Sequence, residues 1–358
     1  MKVMSIVGAR PQFVKLAMVS RALKQHRPDI AEFILHTGQH FDNNMSQVFF
    51  DQMQIPSPHQ NLNIGGGSYG QNTGRMLEKI EACLREEKPD WVIVYGDTDS
   101  TLAGALAAAK LTIPIAHVES GLRSGNMSMP EEINRVLTDA ISSLLFCPSQ
   151  TALSNLSACE TRPGAEIVFS GDVMFDAVRT YAERSVKPTG VDTTVRFILV
   201  TFHRAENTDS PENLQGICEA IEALAKQNHI ILPLHPRTHK ALINSGIELN
   251  SPDITLLPPA TYYEMLWLLQ NCEMVLTDSG GLQKEAYFHN KPCVILRSQT
   301  EWLELLATGS HILAGADTRQ IVSAVRTLHT SMAKNILDNT IYGSGDAAKK
   351  IVLSLPSC

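Results

Sequence analysis

Residues 91–119, WVIVYGDTDSTLAGALAAAKLTIPIAHVE, contain a short apolar run, an alanine-rich segment and a second short apolar run. The two apolar runs have the length and the β-branched residues of buried strands, and the segment between them has the composition of a helix. A strand, a helix and a further strand in this order form a βαβ unit, in which the two strands are parallel. This stretch therefore predicts an α/β fold with a parallel sheet.

The same alternation continues on both sides of this stretch and forms two sets of predicted strands. The first set is VMSIVG, EFILHTG, WVIVYGD, IPIAHVE, LLFCPS and EIVFSGD, and the second is FILVTFH, HIILPLH, DITLLPP, EMVLTDSGG, PCVILR and HILAG. Between the sets lies SVKPTGVDTT, residues 185–194, whose Pro, Gly and Thr content predicts a surface linker. Because 358 residues exceed what one hydrophobic core usually organises, we expect two domains.

Helices are expected between these strands. In the second half they are predicted near 211–227, 261–271, 281–290 and 318–334, and the tail GDAAKKIVLSL is also helix-like. The segment from Pro130 to Leu145 has an apolar stripe that predicts a helix facing the core. The stripe consists of Ile133, Val136, Leu137, Ala140, Ile141 and Leu144.

The composition excludes several classes of protein. A net charge of −7 argues against a nucleic-acid-binding surface. No apolar stretch reaches the roughly 18 residues of a membrane span. The seven cysteines are scattered singly, without the spacing of a zinc site or of a disulfide framework, and this favours the reducing cytoplasm.

Charged residues of the first half follow the predicted strands, where open parallel sheets bind their ligands. In GARPQFVK, Arg10 and Lys15 flank a helix start that could face an anion, although a solvated loop with two incidental cations would explain them equally well. In GDTDST, Asp97 lies directly at the strand end, and Asp99 is predicted to cap the following helix.

The stretch HVESGLRSGNMSMPEEINR, residues 117–135, adds Glu119 at a strand end and Glu131 in the first turn of a helix. A capped helix with a surface ion pair between Glu131 and Arg135 would also explain the PEEINR segment. However, Asp97, Glu119 and Glu131 all fall at one edge of one sheet, where carboxylates raise each other's pKa. The pattern is therefore typical of proton transfer near neutral pH.

The second half carries a different signal in EMVLTDSGGLQKEA, residues 273–286. Here Ser279, Gly280 and Gly281 follow a strand and begin a helix, which allows backbone N–H groups to approach a phosphate. Glu285 lies one to two turns further along, at a reach suited to a ribose diol. A plain turn followed by a helix cap would produce the same motif.

Two further strand ends in the second half carry histidines. FHRAEN provides His203 with Arg204, and LHPRTH provides His235. A single histidine at a strand end usually has a backbone partner, but the neighbouring arginine indicates a site directed at an anion.

The motifs GARPQFVK, HTGQHFD, YGDTDSTLAGALAA, HVESGLRS, MPEEINRVLTD, FHRAEN, LHPRT and LTDSGGLQKEA occur in this order along nearly the whole chain. Together they resemble the non-hydrolysing UDP-N-acetylglucosamine 2-epimerases. The resemblance implies two Rossmann-like domains whose parallel sheets face a cleft in the GT-B arrangement, at residues 1–172 and 173–344, with a C-terminal helix in 345–358 that packs back on the first. It also implies a homodimer, a UDP-sugar substrate, and neither a metal nor a nicotinamide cofactor.

By the same resemblance, the residues expected to be catalytic are Asp97, Glu119, Glu131 and His203, and those expected to bind UDP are Arg10, Ser279, Gly280 and Glu285. The residue pattern adds Lys15, Arg135, His235 and Gly281 to those expected to bind UDP or the substrate. The implied reaction interconverts UDP-N-acetylglucosamine and UDP-N-acetylmannosamine, by anti elimination of UDP and its re-addition, for precursors of cell-surface polysaccharide.

The chain also departs from the pattern of many family members. It has Ala9 and Gln12 where many members have threonine and glutamate, and Met129 where many have tryptophan. The GARPQF form, together with HTGQHFD and FHRAENTD, resembles members that epimerise UDP-2,3-diacetamido-2,3-dideoxyglucuronate, which is therefore a second possible substrate. Phe41 follows His40 where members regulated by a second substrate molecule have arginine, so we expect no such allosteric site. A GT-B glycosyltransferase, a hydrolysing epimerase and a non-catalytic UDP-sugar sensor would each share part of this set of motifs.

Overall fold

The computed structural model of the chain describes residues 1–39, 50, 53–159, 161–192, 194–331 and 341–356. His40 and Phe41, on which the expectation about allosteric regulation rests, lie outside these ranges. The chain divides into two compact units, which we call the first unit (Met1–Arg179 with Thr340–Cys358) and the second unit (Thr180–Asn339). The sequence predicts these divisions after residues 172 and 344.

The first unit is built on a sheet of seven parallel strands, which confirms the predicted fold class. Along the chain these are β1 (Lys2–Val7), β2 (Ala31–His36), β3 (Gln60–Asn61), β4 (Trp91–Tyr95), β5 (Ile115–Val118), β6 (Leu144–Cys147) and β7 (Glu166–Phe169). Their order in the sheet is β3-β2-β1-β4-β5-β6-β7. Only the two-residue β3 is absent from the strands predicted for this half, because a pair of polar residues carries no apolar signal.

Helices follow these strands in the chain. They are α1 (Arg10–His26), α2 (Tyr69–Glu87), α3 (Asp99–Lys110), α4 (Pro130–Ile141), α5 (Gln150–Ser157) and α6 (Val173–Tyr181). The order of the strands reverses between β1 and β4, so the loops after these two strands lie at the switch point where open parallel sheets bind ligands.

The second unit repeats this plan with a sheet of six parallel strands. They are β8 (Phe197–Thr201), β9 (His229–Pro233), β10 (Ile254–Leu257), β11 (Met274–Thr277), β12 (Cys293–Ile295) and β13 (His311–Leu313), in the order β10-β9-β8-β11-β12-β13. Its helices are α7 (Ala205–Thr208), α8 (Pro211–Ala225), α9 (Pro236–Ser245), α10 (Tyr262–Asn271), α11 (Gly280–Phe288), α12 (Leu303–Ala307) and α13 (Thr318–Ser331). All six predicted strands of this half are present, and β8 and β11 are neighbours at its switch point.

The last helix, α14 (Ala347–Ser354), belongs to the first unit and contacts α1. Arg27, at the end of α1, donates hydrogen bonds to the carbonyl oxygens of Leu355 (2.8 Å) and Pro356 (3.1 Å). At the other end of α14, Asp176 accepts hydrogen bonds from the backbone N–H groups of Ala347 and Ala348. Both ends of this helix are therefore fastened to the first unit.

The orientation of α4 is opposite to the predicted one, and the prediction of an apolar core face was wrong. Ile133 is 38% exposed and Leu137 is 48% exposed. The buried residues of this helix are instead polar, namely Glu132, Asn134, Arg135, Thr138 and Asp139. They are buried because they have hydrogen-bonding and ionic partners inside the protein, as described below, which offsets the cost of burying polar groups.

No helix in the described part of the chain combines the length and apolarity needed to cross a membrane.

Candidate active site

Glu119 directly follows β5 and has an unusual backbone conformation, with φ at +71°. This is the left-handed region, which costs on the order of 1 kcal/mol or more for a residue with a Cβ atom. Its side chain is only 11% exposed and forms an ion pair with Lys15 of α1, whose side chain is 7% exposed. A largely buried carboxylate is thus held in a strained turn beside a buried cation.

Gly96, at the end of β4, lies directly against this ion pair. It has φ at +64°, and a Cβ atom there would lie 3.2 Å from Lys15 Nζ and 3.3 Å from Glu119 Oε2. Both the backbone conformation and the limited space therefore favour glycine at this position.

Asp97 is the next residue, and Arg135 of α4 binds it. The Arg135 guanidinium donates to Asp97 Oδ2 (2.5 Å) and to Glu132 Oε2 (2.7 Å), and Arg135 is 2% exposed. From the sequence we expect these carboxylates to raise each other's pKa. In the structure Asp97 and Glu119 each have a cationic partner, which stabilises the ionised form.

Asn134 adds a second link between α4 and the loop after β4. Its side-chain amide donates to the carbonyl oxygen of Asp97 (3.0 Å) and to Asp99 Oδ1 (3.2 Å). Burial raises the pKa of the Asp99 carboxyl, and the hydrogen bond from Asn134 opposes this shift. The prediction that Asp99 is the helix cap was wrong, because Thr98 occupies the cap position and accepts from the backbone N–H of Thr101.

Glu132 holds the loop between β5 and α4. Its carboxylate accepts from the backbone N–H and the hydroxyl of Ser124 (both 2.9 Å) and from the backbone N–H of Gly125 (3.1 Å). Glu132 is 1% exposed, whereas the predicted catalytic residue Glu131 is only partly buried in the first turn of α4. The two adjacent glutamates therefore have different environments.

The loop after β1 is shaped by Gln12. Its side-chain oxygen accepts from the backbone N–H groups of Gly8 (2.7 Å) and Ala9 (3.0 Å), and its amide donates to the carbonyl oxygen of Tyr95 (2.8 Å). Arg10, the predicted phosphate-binding residue, is the first residue of α1 and is partly buried. Gln12 thus fixes the backbone conformation of the loop that directly precedes Arg10.

In the second unit, Asp278 joins the loops after β8 and β11. It is fully buried and accepts from the backbone N–H groups of His203 and Arg204 (each 2.9 Å) and from the side-chain amide of Asn207 (3.0 Å). Asp278 is absent from the site residues predicted from the sequence, although its position directly after β11 and before Ser279 is a signal of the same kind as that of Asp97.

His203 and His235, which the sequence predicts to belong to an anion-binding site, are stacked on each other. Their ring centroids are 4.9 Å apart and the ring planes are inclined by 29°. His203 Nδ1 lies 3.9 Å from Asp278 Oδ1, and His203 is partly exposed. His235 Nδ1 accepts from the backbone N–H of Arg237 (3.1 Å) and thereby caps α9.

The predicted phosphate-binding turn lies at the start of α11. Ser279 is its cap residue. The backbone at Gly280 packs closely against the side chain of Glu301, because a Cβ atom at this position would lie 2.5 Å from Glu301 Oε1. Gly281 is exposed. Glu285 is buried further along the helix. Burial, and then the charge of Glu285, raise the pKa of the Tyr262 hydroxyl well above its ordinary value.

The described side chains include no group of three or more His, Cys, Asp or Glu residues arranged to hold a metal ion.

Comparison with known proteins shows which family the chain is similar to. The family model described as UDP-N-acetylglucosamine 2-epimerase matches residues 21–356. The chain is 51% identical, over 98% of both chains, to the UDP-2,3-diacetamido-2,3-dideoxy-D-glucuronate 2-epimerase of Pseudomonas aeruginosa. It is 43% identical to the UDP-N-acetylglucosamine 2-epimerase of Methanococcus maripaludis, over 98% of this chain and 97% of that protein.

A solved structure agrees with this assignment. The crystal structure of Methanocaldococcus jannaschii UDP-GlcNAc 2-epimerase in complex with UDP-GlcNAc and UDP has a TM-score of 0.85 and 39% identity, over 99% of both chains. The matched family model and these relatives extend over both units. The chain therefore belongs to the UDP-N-acetylglucosamine 2-epimerase family, a family of isomerases.

Proposed function

We propose that the chain interconverts UDP-N-acetylglucosamine and UDP-N-acetylmannosamine without hydrolysis, by eliminating UDP and adding it back. The observation that carries this proposal is the largely buried Glu119 carboxylate, held in a left-handed turn beside Lys15. A carboxylate kept ionised in a site of low exposure is suited to removing a proton from carbon.

The elimination step needs a base for the C2 proton and a stabilised leaving group. The C2–H bond breaks as a carboxylate takes the proton, its electron pair forms the C1–C2 double bond, and UDP departs with the electron pair of the C1–O bond. UDP then adds to C1 as a proton reaches the other face of C2. Asp97, Glu119 and Glu131 are the groups we assign to proton transfer in these two steps.

The leaving diphosphate needs cations and hydrogen-bond donors. We assign its binding to Arg10 and to the start of α11 at Ser279, Gly280 and Gly281, and the ribose diol to Glu285. His203, close to Asp278, is assigned to assist the departure and return of UDP.

Three residues of the predicted binding set have partners that suggest a different contribution. Lys15 and Arg135 pair with Glu119 and Asp97, so we propose that they act on the substrate chiefly by keeping these carboxylates ionised. His235 caps α9 and stacks on His203, and we propose that it orients that ring.

A second candidate substrate is UDP-2,3-diacetamido-2,3-dideoxyglucuronate. The relative named for this substrate is 51% identical to the chain, against 43% for the Methanococcus maripaludis protein named for UDP-N-acetylglucosamine. The reaction at C1 and C2 is the same for both sugars. The choice between them is therefore a question of the sugar pocket and leaves the proposed chemistry unchanged.

We also propose that the chain works in the cytoplasm as a homodimer and supplies precursors for cell-surface polysaccharide. The scattered cysteines and the family resemblance support the compartment and the pathway. The exposed apolar side chains of Ile133 and Leu137 on α4 support a partner surface on the first unit. Light scattering on the purified protein should give twice the mass of the chain, and a monomer would contradict this part of the proposal.

The experiment that tests the proposed function is to incubate the protein with each UDP-sugar, without an acceptor, and to follow the products by NMR. We expect an equilibrium mixture of the C2 epimers from one of the two sugars, with UDP still attached. Free N-acetylmannosamine and UDP would indicate a hydrolysing epimerase. Binding of both sugars without turnover of either would indicate a sensor or a transferase that needs an acceptor.

A further inference from the structure

Arg297 lies in the loop after β12, and its side chain is only 1% exposed. Its guanidinium donates to Glu301 Oε2 (2.8 Å), and its Nε lies 3.5 Å from Glu206 Oε1 of α7. Glu301 is itself 8% exposed. Because β12 is the parallel neighbour of β11, this loop lies at the sheet edge that carries the turn before α11. A buried ion pair is therefore located at the same edge as the predicted phosphate-binding turn.

Glu301 packs directly against that turn. Its second carboxylate oxygen, Oε1, is the atom that a Cβ atom at Gly280 would meet at 2.5 Å, and Trp302 Nε1 would lie 3.4 Å from the same position. The backbone of this segment is also held to α11, because the Thr300 hydroxyl donates to Gln283 Oε1 (2.7 Å). Glu301 is thus fixed against the first residue of α11.

A carboxylate in this place affects the binding of anions. Backbone N–H groups at the start of a helix attract anions, and we assign the diphosphate of UDP to this turn. Glu301 has the same sign of charge as the diphosphate and repels it. Arg297 stays protonated in a folded protein, so its positive charge offsets the repulsion.

We propose that Arg297 and Glu301 are a positioning pair that sets the affinity of the α11 turn for the diphosphate. Glu301 supports the backbone of the turn, while Arg297 holds Glu301 in place and offsets its charge. The diphosphate gains negative charge as the C1–O bond breaks, so the pair acts most strongly on detached UDP. The proposal rests on the proposed function only for the assignment of the diphosphate to this turn, and it holds for either sugar.

Calorimetry of UDP and of uridine binding to the full-length protein tests the pair, because uridine lacks the diphosphate but keeps the ribose and the base. Glu301→Gln removes the negative charge, and the amide oxygen can still accept from Arg297. We expect the affinity for UDP to rise by about fivefold and the affinity for uridine to stay within about twofold. An unchanged or lower affinity for UDP would overturn the proposal.

Arg297→Met should have the opposite effect, because Glu301 then repels the diphosphate without this cation beside it. We expect the affinity for UDP to fall by about tenfold or more and the affinity for uridine to stay within about twofold. An equal loss for both ligands would show a merely structural role and would contradict the proposal.

The double variant Arg297→Met/Glu301→Gln removes both charges. We expect it to bind UDP within about threefold of the wild-type affinity, because the two substitutions compensate each other. If the double variant binds UDP as weakly as Arg297→Met does, the loss does not come from the charge of Glu301 and the proposal is wrong.

Arg196 and Glu273 provide matched controls in the same unit. They form an ion pair (3.1 Å) beside the amino ends of β8 and β11, at the opposite edge of the sheet. Arg196→Met and Glu273→Gln change the net charge by the same amounts, and the affinity for UDP should stay within about twofold, since solvent screens distant exposed charges. Changes as large as those at Arg297 and Glu301 would show an effect of net charge alone and would contradict the proposal.

The outcomes separate this pair from the proposed reaction. Should Arg297→Met not fold, Glu301→Gln and the double variant still decide, because neither leaves a buried carboxylate without its cation. A wild-type protein that binds UDP no more tightly than uridine would overturn both the assignment of the turn and the proposed pair. A wild-type protein that epimerises neither sugar, but whose variants follow the expected series of UDP affinities, would contradict the proposed reaction and support the pair.

Discussion

Lys15 on α1 and Glu119 after β5 are separated by more than a hundred residues, yet they form an ion pair in which both side chains are almost completely buried. Burying two charges is costly, and replacing such a pair by apolar residues is often neutral or stabilising. Its presence beside Gly96 and the strained turn at Glu119 therefore indicates a functional arrangement. The lysine keeps Glu119 ionised where desolvation would otherwise favour the neutral acid.

Lys15→Met should consequently change the pH dependence of the reaction. We expect the acid limb of the kcat/KM profile to move to higher pH, because removing the cation disfavours the ionised carboxylate, and kcat to fall by about 10²-fold. Lys2→Met removes a partly exposed lysine from its pair with Glu87 and is the matched control. An unshifted profile in Lys15→Met would contradict the role assigned to this pair.

Substitutions in the second unit should affect UDP binding, whereas substitutions of the carboxylates of the first unit should affect kcat. Glu285→Ala should weaken UDP binding, because a buried carboxylate assigned to the ribose diol is lost. Glu119→Gln and Glu131→Gln should keep UDP affinity within about threefold and lower kcat by about 10²-fold or more. Calorimetry of UDP binding and steady-state kinetics measure the two effects, and a collapse of UDP affinity in the glutamine variants would make the assignment wrong.

Gly96→Ala and Gly125→Ala form a matched pair, because both glycines have positive φ. At Gly125 no atom lies within 4 Å of the added methyl group, whereas at Gly96 the methyl group meets Lys15 and Glu119. Each substitution should lower the free energy of unfolding by about 1 kcal/mol through backbone strain. Only Gly96→Ala should also reduce kcat, as measured on protein confirmed to be folded, and equal kcat values in the two variants would count against the crowding at Gly96.

The second unit should lose stability in mild acid. Burial lowers the pKa of His311, and likewise of His289, to about 4 from the ordinary value of 6.5. Between these values the unfolded chain binds more protons than the folded chain, so the stability present above pH 6.5 is lost as the pH falls toward 4. The contribution of His311 is on the order of 3 kcal/mol at most.

Urea unfolding at several pH values measures this loss. His311→Gln can keep a donor toward the carbonyl oxygen of Gln283 but cannot titrate, and it should show a shallower decline in the free energy of unfolding between pH 6.5 and 4 than the wild-type protein. The same decline in both proteins would show that the acid sensitivity has another origin.

The strands could be predicted from the sequence because buried parallel strands are short apolar runs, and all twelve predicted strands are present. The buried face of α4 could not be predicted in this way, because the prediction assumed that its apolar residues point inward. The spacing of Glu132, Arg135 and Asp139 repeats every three to four residues and marks an equally continuous polar face. Only partners from other elements, such as Asp97 and His117, decide that the polar face is the buried one.

The candidate site shows the same limit. Asp97, Glu119 and His203 could be found because each follows a strand end, where parallel sheets present their ligand-binding residues. Asp278 satisfies the same rule and was missed because the adjacent glycines dominate the motif. Asp139 lies in the last two turns of a helix, and its contacts with His117, Gly121 and Arg123 are tertiary, so no local pattern indicates them.

The central claim is that C2 is inverted by proton transfer and elimination. The most direct measurement is to run the reaction in D₂O and to read the hydrogen at C2 of the product by NMR. A carboxylate that holds the C2 proton while UDP is detached can exchange it with solvent, so we predict deuterium at C2 and slow release of free UDP with the unsaturated sugar. Complete retention of the C2 protium in fully epimerised product would contradict the account and indicate a transient oxidation or a ring-opening route.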